Sequence, residues 1–198
     1  MEFNKGQIVY NQDQPSTSLF LIIDGRIKVS RQADDGHQVV VNIYQPDELF
    51  GESALVNLPH RCEQATALEN TKLMVWSIAE IEDIITKRPR LAVALLQILV
   101  QRTIDFTHRI ESFSVDNIAR RLARSLIRFS ERLGTVEEDG SVRMVPFTHE
   151  LLSQYVGTSR EIVTHYMNLF RRQGYLRYSR KGIILYRDAF RDWLRQNV

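Results

Sequence analysis

Apolar positions along the first 78 residues fall in short runs, "QIVY", "SLFLII", "RIKVS", "QVVVNIY" and "KLMVW", rich in β-branched and aromatic side chains. Such runs read as strands. Turn signals separate them: "NQDQPS", the Asp24-Gly25 pair, "DDG" at 34–36 and "QPDE". Asp-Gly between apolar runs favours tight hairpins, because glycine accepts positive φ. Many short strands at this spacing predict a barrel or sandwich over residues 1–78.

Beyond that point the period becomes helical. "IAEIEDIITKRP" predicts a short helix that ends near Pro89, since the residue before a proline is disfavoured in α geometry. A long helix follows, to about residue 115. Leu96, Leu99, Thr103, Phe106, Ile110 and Phe113 follow one another at spacings of 3, 4, 3, 4 and 3, a heptad seam. Leu91, Leu95 and Ile98 form a second stripe, so one side is expected to face its own barrel and the other a partner helix. Burial within a monomer would give the same pattern. "SVDNI" then offers capping residues for a new helix, whose apolar face is Ile118, Leu122, Leu126 and Phe129 and whose stop is Gly134. "TVEEDGSVRMVPF" reads as a loop or hairpin turning at Asp139 and Gly140. The expected organisation is a barrel domain over 1–87, a dimerisation helix over 88–115 and a second domain over 116–198.

The segment "FTHELLSQYVGTSREIVTHYMNLFRRQGYL" predicts helix, tight turn, helix. Thr148 caps the first helix, which has Leu151, Leu152 and Tyr155 inside, and Gly157 makes the turn. Thr158 is expected to cap the second helix, with Glu161 three residues on completing a capping box. Ile162, Val163, Tyr166, Leu169 and Phe170 are expected to face inward. That leaves Arg160, Glu161, Thr164, His165 and Asn168 outward near the helix start. The N-terminal part of the second helix of a helix-turn-helix enters the DNA major groove. There Arg suits guanine, Glu accepts from cytosine and Asn pairs with adenine. Thr148, Ser159, Arg171 and Arg172 suit phosphates, which position without specifying. "GYLRYSRKGIILY" predicts a hairpin with its tip at 179–182, bringing Arg177, Arg180 and Lys181 to a phosphate backbone. A helix-turn-helix followed by such a hairpin is a winged helix.

The formal net charge of +2 conceals an asymmetry. Residues 1–116 carry 11 Lys/Arg against 16 Asp/Glu, a net −5, and residues 117–198 carry 15 against 8, a net +7. An acidic front and a basic back point the back towards a polyanion. The single cysteine, Cys62, leaves no internal disulfide and no four-cysteine cluster within one chain. No apolar run is long enough for a membrane span, and "MEFNKGQIVY" lacks a basic-then-apolar leader, so a cytoplasmic protein is expected. P-loop, G-x-S-x-G and helical metal-ligand motifs are missing from the sequence, which argues against an enzyme.

With these residues in view, the chain resembles the CRP/FNR family of bacterial transcription regulators from about Phe3 to the C-terminus. "FNKGQIVYNQDQP" and "LFLIIDGRIKVS" resemble the opening strands of cyclic-nucleotide-binding β-rolls, and "GTSRE" resembles the family's reading helix. The resemblance implies an α+β fold: an N-terminal β-roll of jelly-roll type, a long dimerisation helix and a C-terminal winged helix-turn-helix. "FGESALVNLPHRCEQATA" resembles the phosphate-binding cassette. By position, Glu52 would accept from a ribose hydroxyl and Arg61 would grip a cyclic phosphate. Gly51 and the backbone of Ser53 and Cys62 would donate around it, and Phe106 and Thr107 match the base-contacting turn. Cyclic AMP or another cyclic nucleotide is the implied effector. A homodimer, a palindromic double-stranded DNA site and RNA polymerase are the implied partners. Without a ligand, Gly51 and Glu52 would simply shape a turn and Arg61 would pair with Glu52. Two departures stand out: Cys62 follows the cassette arginine, and His165 stands where the family usually has arginine.

Overall fold

The computed structural model describes residues 1–56 and 58–196. It divides into two compact units, Met1–Asp105 and Phe106–Val198, each taken by itself below.

In the first unit, β1 (Glu2–Phe3), β2 (Ile8–Tyr10), β3 (Ser18–Asp24), β4 (Ile27–Gln32), β5 (Gln38–Tyr44), β6 (Leu49–Phe50), β7 (Gln64–Ala67) and β8 (Thr71–Ser77) form two antiparallel four-stranded sheets. Their orders are β1-β8-β3-β6 and β2-β7-β4-β5. Every long run read as a strand in the sequence is one. The two-residue strands β1 and β6 carry too little pattern to be read beforehand. Inward side chains meet in one core of Tyr10, Phe20, Ile22, Ile27, Val29, Tyr44, Phe50, Ala65, Ala67 and Leu73. Four aromatic rings stack through it; Phe20 and Phe50, paired across β3 and β6, lie 5.0 Å apart. A 3₁₀ helix, Glu52–Val56, leaves β6. Helix α1 (Ile78–Lys87) opens with a full capping box between Ser77 and Glu80 and closes before Pro89.

Helix α2 (Arg90–Val115) runs for 26 residues, none of them buried. Val93, Leu96, Val100 and Ile110 are each more than half exposed, at 55, 61, 57 and 66 %. These positions, with Thr103 between, follow a 3–4 alternation, one register round from the expected seam: Leu99 is only half-exposed and Phe113 lies against Gly157.

In the second unit, α3 (Ile118–Leu133) starts from an Asn117 cap and buries Leu122, Leu126 and Phe129. It is followed by β9 (Gly134–Val136), β10 (Val142–Met144), α4 (His149–Val156), α5 (Arg160–Arg172), β11 (Leu176–Ser179), β12 (Gly182–Leu185) and α6 (Arg187–Gln196). The loop-or-hairpin at Asp139 and Gly140 joins the wing in one sheet of order β11-β12-β10-β9. Helix α6 lies outside the expected elements, although Phe190, Trp193 and Leu194 mark an apolar stripe; Phe190 is fully buried against Phe170. At the junction of α2 and α3, the buried Asp116 carboxylate takes Arg120 at 2.9 Å, Arg124 at 2.7 Å and the Ser112 hydroxyl at 2.6 Å. Among the described residues, no helix is long and apolar enough to cross a membrane.

Candidate nucleic-acid interface and effector cassette

Helix α4 begins at Thr148, whose side chain accepts from Leu151 N–H at 3.0 Å, and ends at Gly157 in the left-handed region, φ +72°. A side chain at Gly157 would be strained there and would meet the Phe113 ring at 2.9 Å, so glycine is required twice over. The N–H groups of Gly157 and Thr158 both bond back to Ser153 O. Thr158 therefore belongs to the end of α4, and the expected Thr158 cap is corrected: Ser159 caps α5 by accepting from Ile162 N–H at 3.3 Å. Glu161 then falls on the second helical position and the expected capping box does not form. Its carboxyl is held below the usual range by its own backbone N–H first and the Ser159 hydroxyl second, both near the positive end of the helix.

The buried face of α5 is Val163, Met167 and Phe170. Ile162, expected inside, is 37 % exposed, because the buried arc of α5 is centred on Val163, Met167 and Phe170 and Ile162 lies to one side of it. Arg160, Glu161 and His165 are exposed at the N-terminal end, as are Arg171 and Arg172 further on and Arg180 and Lys181 at the wing tip. Thr164 and Asn168 are different. Thr164 donates to Arg160 O at 2.8 Å and lies 2.8 Å from His149 Nδ1. Asn168 Oδ1 accepts from the Tyr178 hydroxyl at 3.1 Å. Both are half-buried, and each already carries a bond inside the unit. The long helix also supports the turn: Arg109 donates to Tyr155 O at 2.7 Å, with its guanidinium 4.1 Å from the Tyr155 ring centre.

The cassette in the first unit is built inward. Gly51 has φ +85°, and a Cβ there would come within 3.0 Å of both Arg61 Nη1 and the Phe20 ring. Arg61 is 3 % exposed. It donates to Gly51 O at 2.7 Å, to Ser53 Oγ at 3.3 Å and to Ser18 O, and it lies 4.4 Å from the Tyr10 ring centre. Burial pulls its pKa down, and pushes that of Tyr10 well up. The expected Arg61–Glu52 pair is not formed. Glu52 pairs instead with Arg102 of α2 at 2.8 Å, and Arg102 also donates to Leu49 O and lies over Tyr44, whose hydroxyl burial raises to about 12. Nothing in the linear pattern signals Arg102. Cys62 is exposed, and Phe106 and Thr107 sit on exposed faces of α2. Ser53 and Arg61 fit a compact anion by type, and the Glu52 carboxylate fits a hydroxyl donor beside it. Arg61 Nε, buried without a hydrogen-bond partner, is a donor to spare, but both terminal nitrogens are committed to the protein's own oxygens.

A β-roll with a cassette of this order, followed by a winged helix-turn-helix with a polar, outward reading end, defines a DNA-binding transcription regulator rather than an enzyme. The cyclic nucleotide-binding domain family matches residues 1–88, and the Crp-like helix-turn-helix domain family matches residues 120–193. The chain belongs to the CRP/FNR family of transcription regulators. It is 27 % identical to the CRP-like cAMP-activated global transcriptional regulator of Mycobacterium tuberculosis (strain CDC 1551 / Oshkosh), over 93 % of this chain and 83 % of that protein. A CRP/FNR-family transcriptional regulator from Thermus thermophilus superposes with a TM-score of 0.78 at 25 % identity, covering 98 % of this chain and 97 % of that one. FixK2 from Bradyrhizobium japonicum shares the fold, with a TM-score of 0.85 at 18 % identity, covering 97 % and 94 %.

Proposed function

We propose that the protein acts as a homodimer on a palindromic DNA site, reading bases with Arg160, Glu161 and His165. The observation that carries this is the exposure of those three side chains at the start of α5, just beyond the Gly157 turn. Thr148, Thr158, Ser159, Arg171, Arg172, Arg180 and Lys181 hold phosphates around them. The exposed α2 stripe through Leu96, Thr103 and Ile110 pairs with its copy, because a helix with no buried residue needs a partner to hide its apolar positions. Two reading helices then fall about 34 Å apart, one turn of DNA. RNA polymerase is the partner the family resemblance suggests. The test is equilibrium binding to a selected palindromic duplex. Affinity should fall about 10³-fold or more between 50 and 200 mM salt, as released counterions require. Binding indifferent to salt contradicts the proposal.

A cyclic nucleotide is the effector class that the N-terminal domain family and the cAMP-activated relative favour. In that reading Arg61 would hold the phosphate and Glu52 a ribose hydroxyl, with Gly51, Ser53 and Cys62 donating and Phe106 and Thr107 beside the base. A second reading, a regulator without a small effector, is favoured by one observation: Arg61 and Glu52 already have internal partners. Calorimetry with cyclic AMP and cyclic GMP separates the two. Heat with either supports the first; no heat with both supports the second.

A further inference from the structure

The chain that leads out of the cassette into β7 runs extended. Arg61 N–H donates to Gln14 O at 2.7 Å and Arg61 O accepts from Asp13 N–H at 2.9 Å, in line with the β2–β7 pairing of Tyr10 with Ala65. Alternate residues of an extended chain point the same way. Arg61, Glu63, Ala65 and Ala67 therefore share the core side, where Arg61, Ala65 and Ala67 are buried. Glu63 is half-buried at the mouth of the roll, and among the described residues its carboxylate makes no hydrogen bond and no ion pair. The charged and titratable groups around it are Arg61, Glu52 at the start of the 3₁₀ helix, Tyr10 of β2 and the exposed Arg31 of β4. Burial first, and the Glu52 charge second, hold the Glu63 carboxyl above its ordinary value of 4.5, while Arg31 and Arg61 pull the other way.

The consequence is one of charge. Glu52 and Arg102 are paired at 2.8 Å and cancel each other. Arg61 and Glu63 cancel as well, and Arg31 stands in solvent, where screening weakens it. A phosphate brought to Arg61 therefore meets little net positive charge. An ionised carboxylate beside that phosphate repels it, whereas the protonated form is neutral and donates a hydrogen bond. We infer that Glu63 gates the cassette by charge: a compact anion binds tightly at Arg61 only as Glu63 takes a proton from solvent, and ionised Glu63 selects against the anion. This rests on the reading of the cassette as an effector site. Affinity is then highest at low pH, where Glu63 is protonated before the anion arrives. It falls as pH rises from the free value of Glu63 to the higher value in the complex, at up to about tenfold per pH unit.

The test is calorimetry of the full chain with cyclic AMP and cyclic GMP at about pH 6 and about pH 8, for wild type and Glu63→Gln. Each titration is run in two buffers of different ionisation enthalpy, which counts the protons taken up. Glu63→Gln keeps the size of the side chain and removes its charge; Glu63→Ala is a second charge-free variant should the first fold poorly. Wild type should take up a proton, up to about one per nucleotide, and bind about tenfold or more tightly at the lower pH. Glu63→Gln should take up none, lose the pH slope and bind at least about tenfold more tightly than wild type at the higher pH. Wild-type binding that is flat with pH and takes up no proton, or uptake that persists in the charge-free variants, overturns the inference and leaves the effector reading standing. Binding by the charge-free variants alone supports both. No heat from any of these proteins with either nucleotide at either pH overturns both.

Discussion

The cassette and the start of α5 each hold an arginine and a glutamate, under opposite conditions. In the cassette, Arg61 is buried beneath Tyr10 and bonded to main-chain oxygens, and Glu52 is tied to Arg102. On α5, Arg160 and Glu161 stand in solvent, anchored to nothing beyond the helix's own first turn. Any ligand of the first site must displace internal hydrogen bonds, whereas DNA at the second displaces only water and counterions. A charged group that already has buried partners is structural until something exchanges them; one left in solvent at a supported position is available at once.

The largest effect that would break this contrast is at Arg61. Arg61→Ala strips partners from the carbonyls of Gly51 and Ser18 and opens space between Tyr10 and Phe20, so it should destabilise the protein by about 4 kcal/mol in urea unfolding. An unchanged midpoint would show that Arg61 is as uncommitted as Arg160. Asp116→Asn should cost about 3 kcal/mol, because it leaves Arg120 facing a neutral group inside the unit. Burial alone would raise the Asp116 carboxyl, but Ser112, Arg120 and Arg124 outweigh it and hold it below its ordinary value of 3.8. Its contribution is therefore complete above about pH 4 and disappears as pH falls through the lower folded value. Acid unfolding followed by circular dichroism should show a shallower acid limb in Asp116→Asn than in wild type. The smallest effect is at Ser159: replacing it with alanine removes the α5 cap and should cost about 1 kcal/mol, with a modest loss of DNA affinity as the reading end frays.

These sites differ in how far the sequence reveals them. Periodicity is enough for the strand runs, the long helix and the helix-turn-helix, because each has an apolar set repeating at 2 or 3.6 residues. Adjacent Thr158 and Ser159 are equivalent caps on paper; only the backbone bonds from Gly157 and Thr158 to Ser153 decide between them. Arg102 reaches Glu52 across 50 positions of sequence, and no local pattern encodes that. The Tyr178–Asn168 bond depends on how the wing strand lies against α5, a matter of tertiary packing. Helix α6, by contrast, carries a legible apolar stripe that the expected elements omit.

The central claim is that the start of α5 reads bases, and the most direct measurement is competition between a selected palindromic duplex and an unrelated one for wild type and the Arg160→Ala/Glu161→Ala double variant. Each lost base contact is worth about 1–3 kcal/mol, so the specific-to-unrelated ratio should fall at least about thirtyfold. Affinity for the unrelated duplex and the melting temperature should hardly change. An undiminished ratio in the double variant would contradict the account.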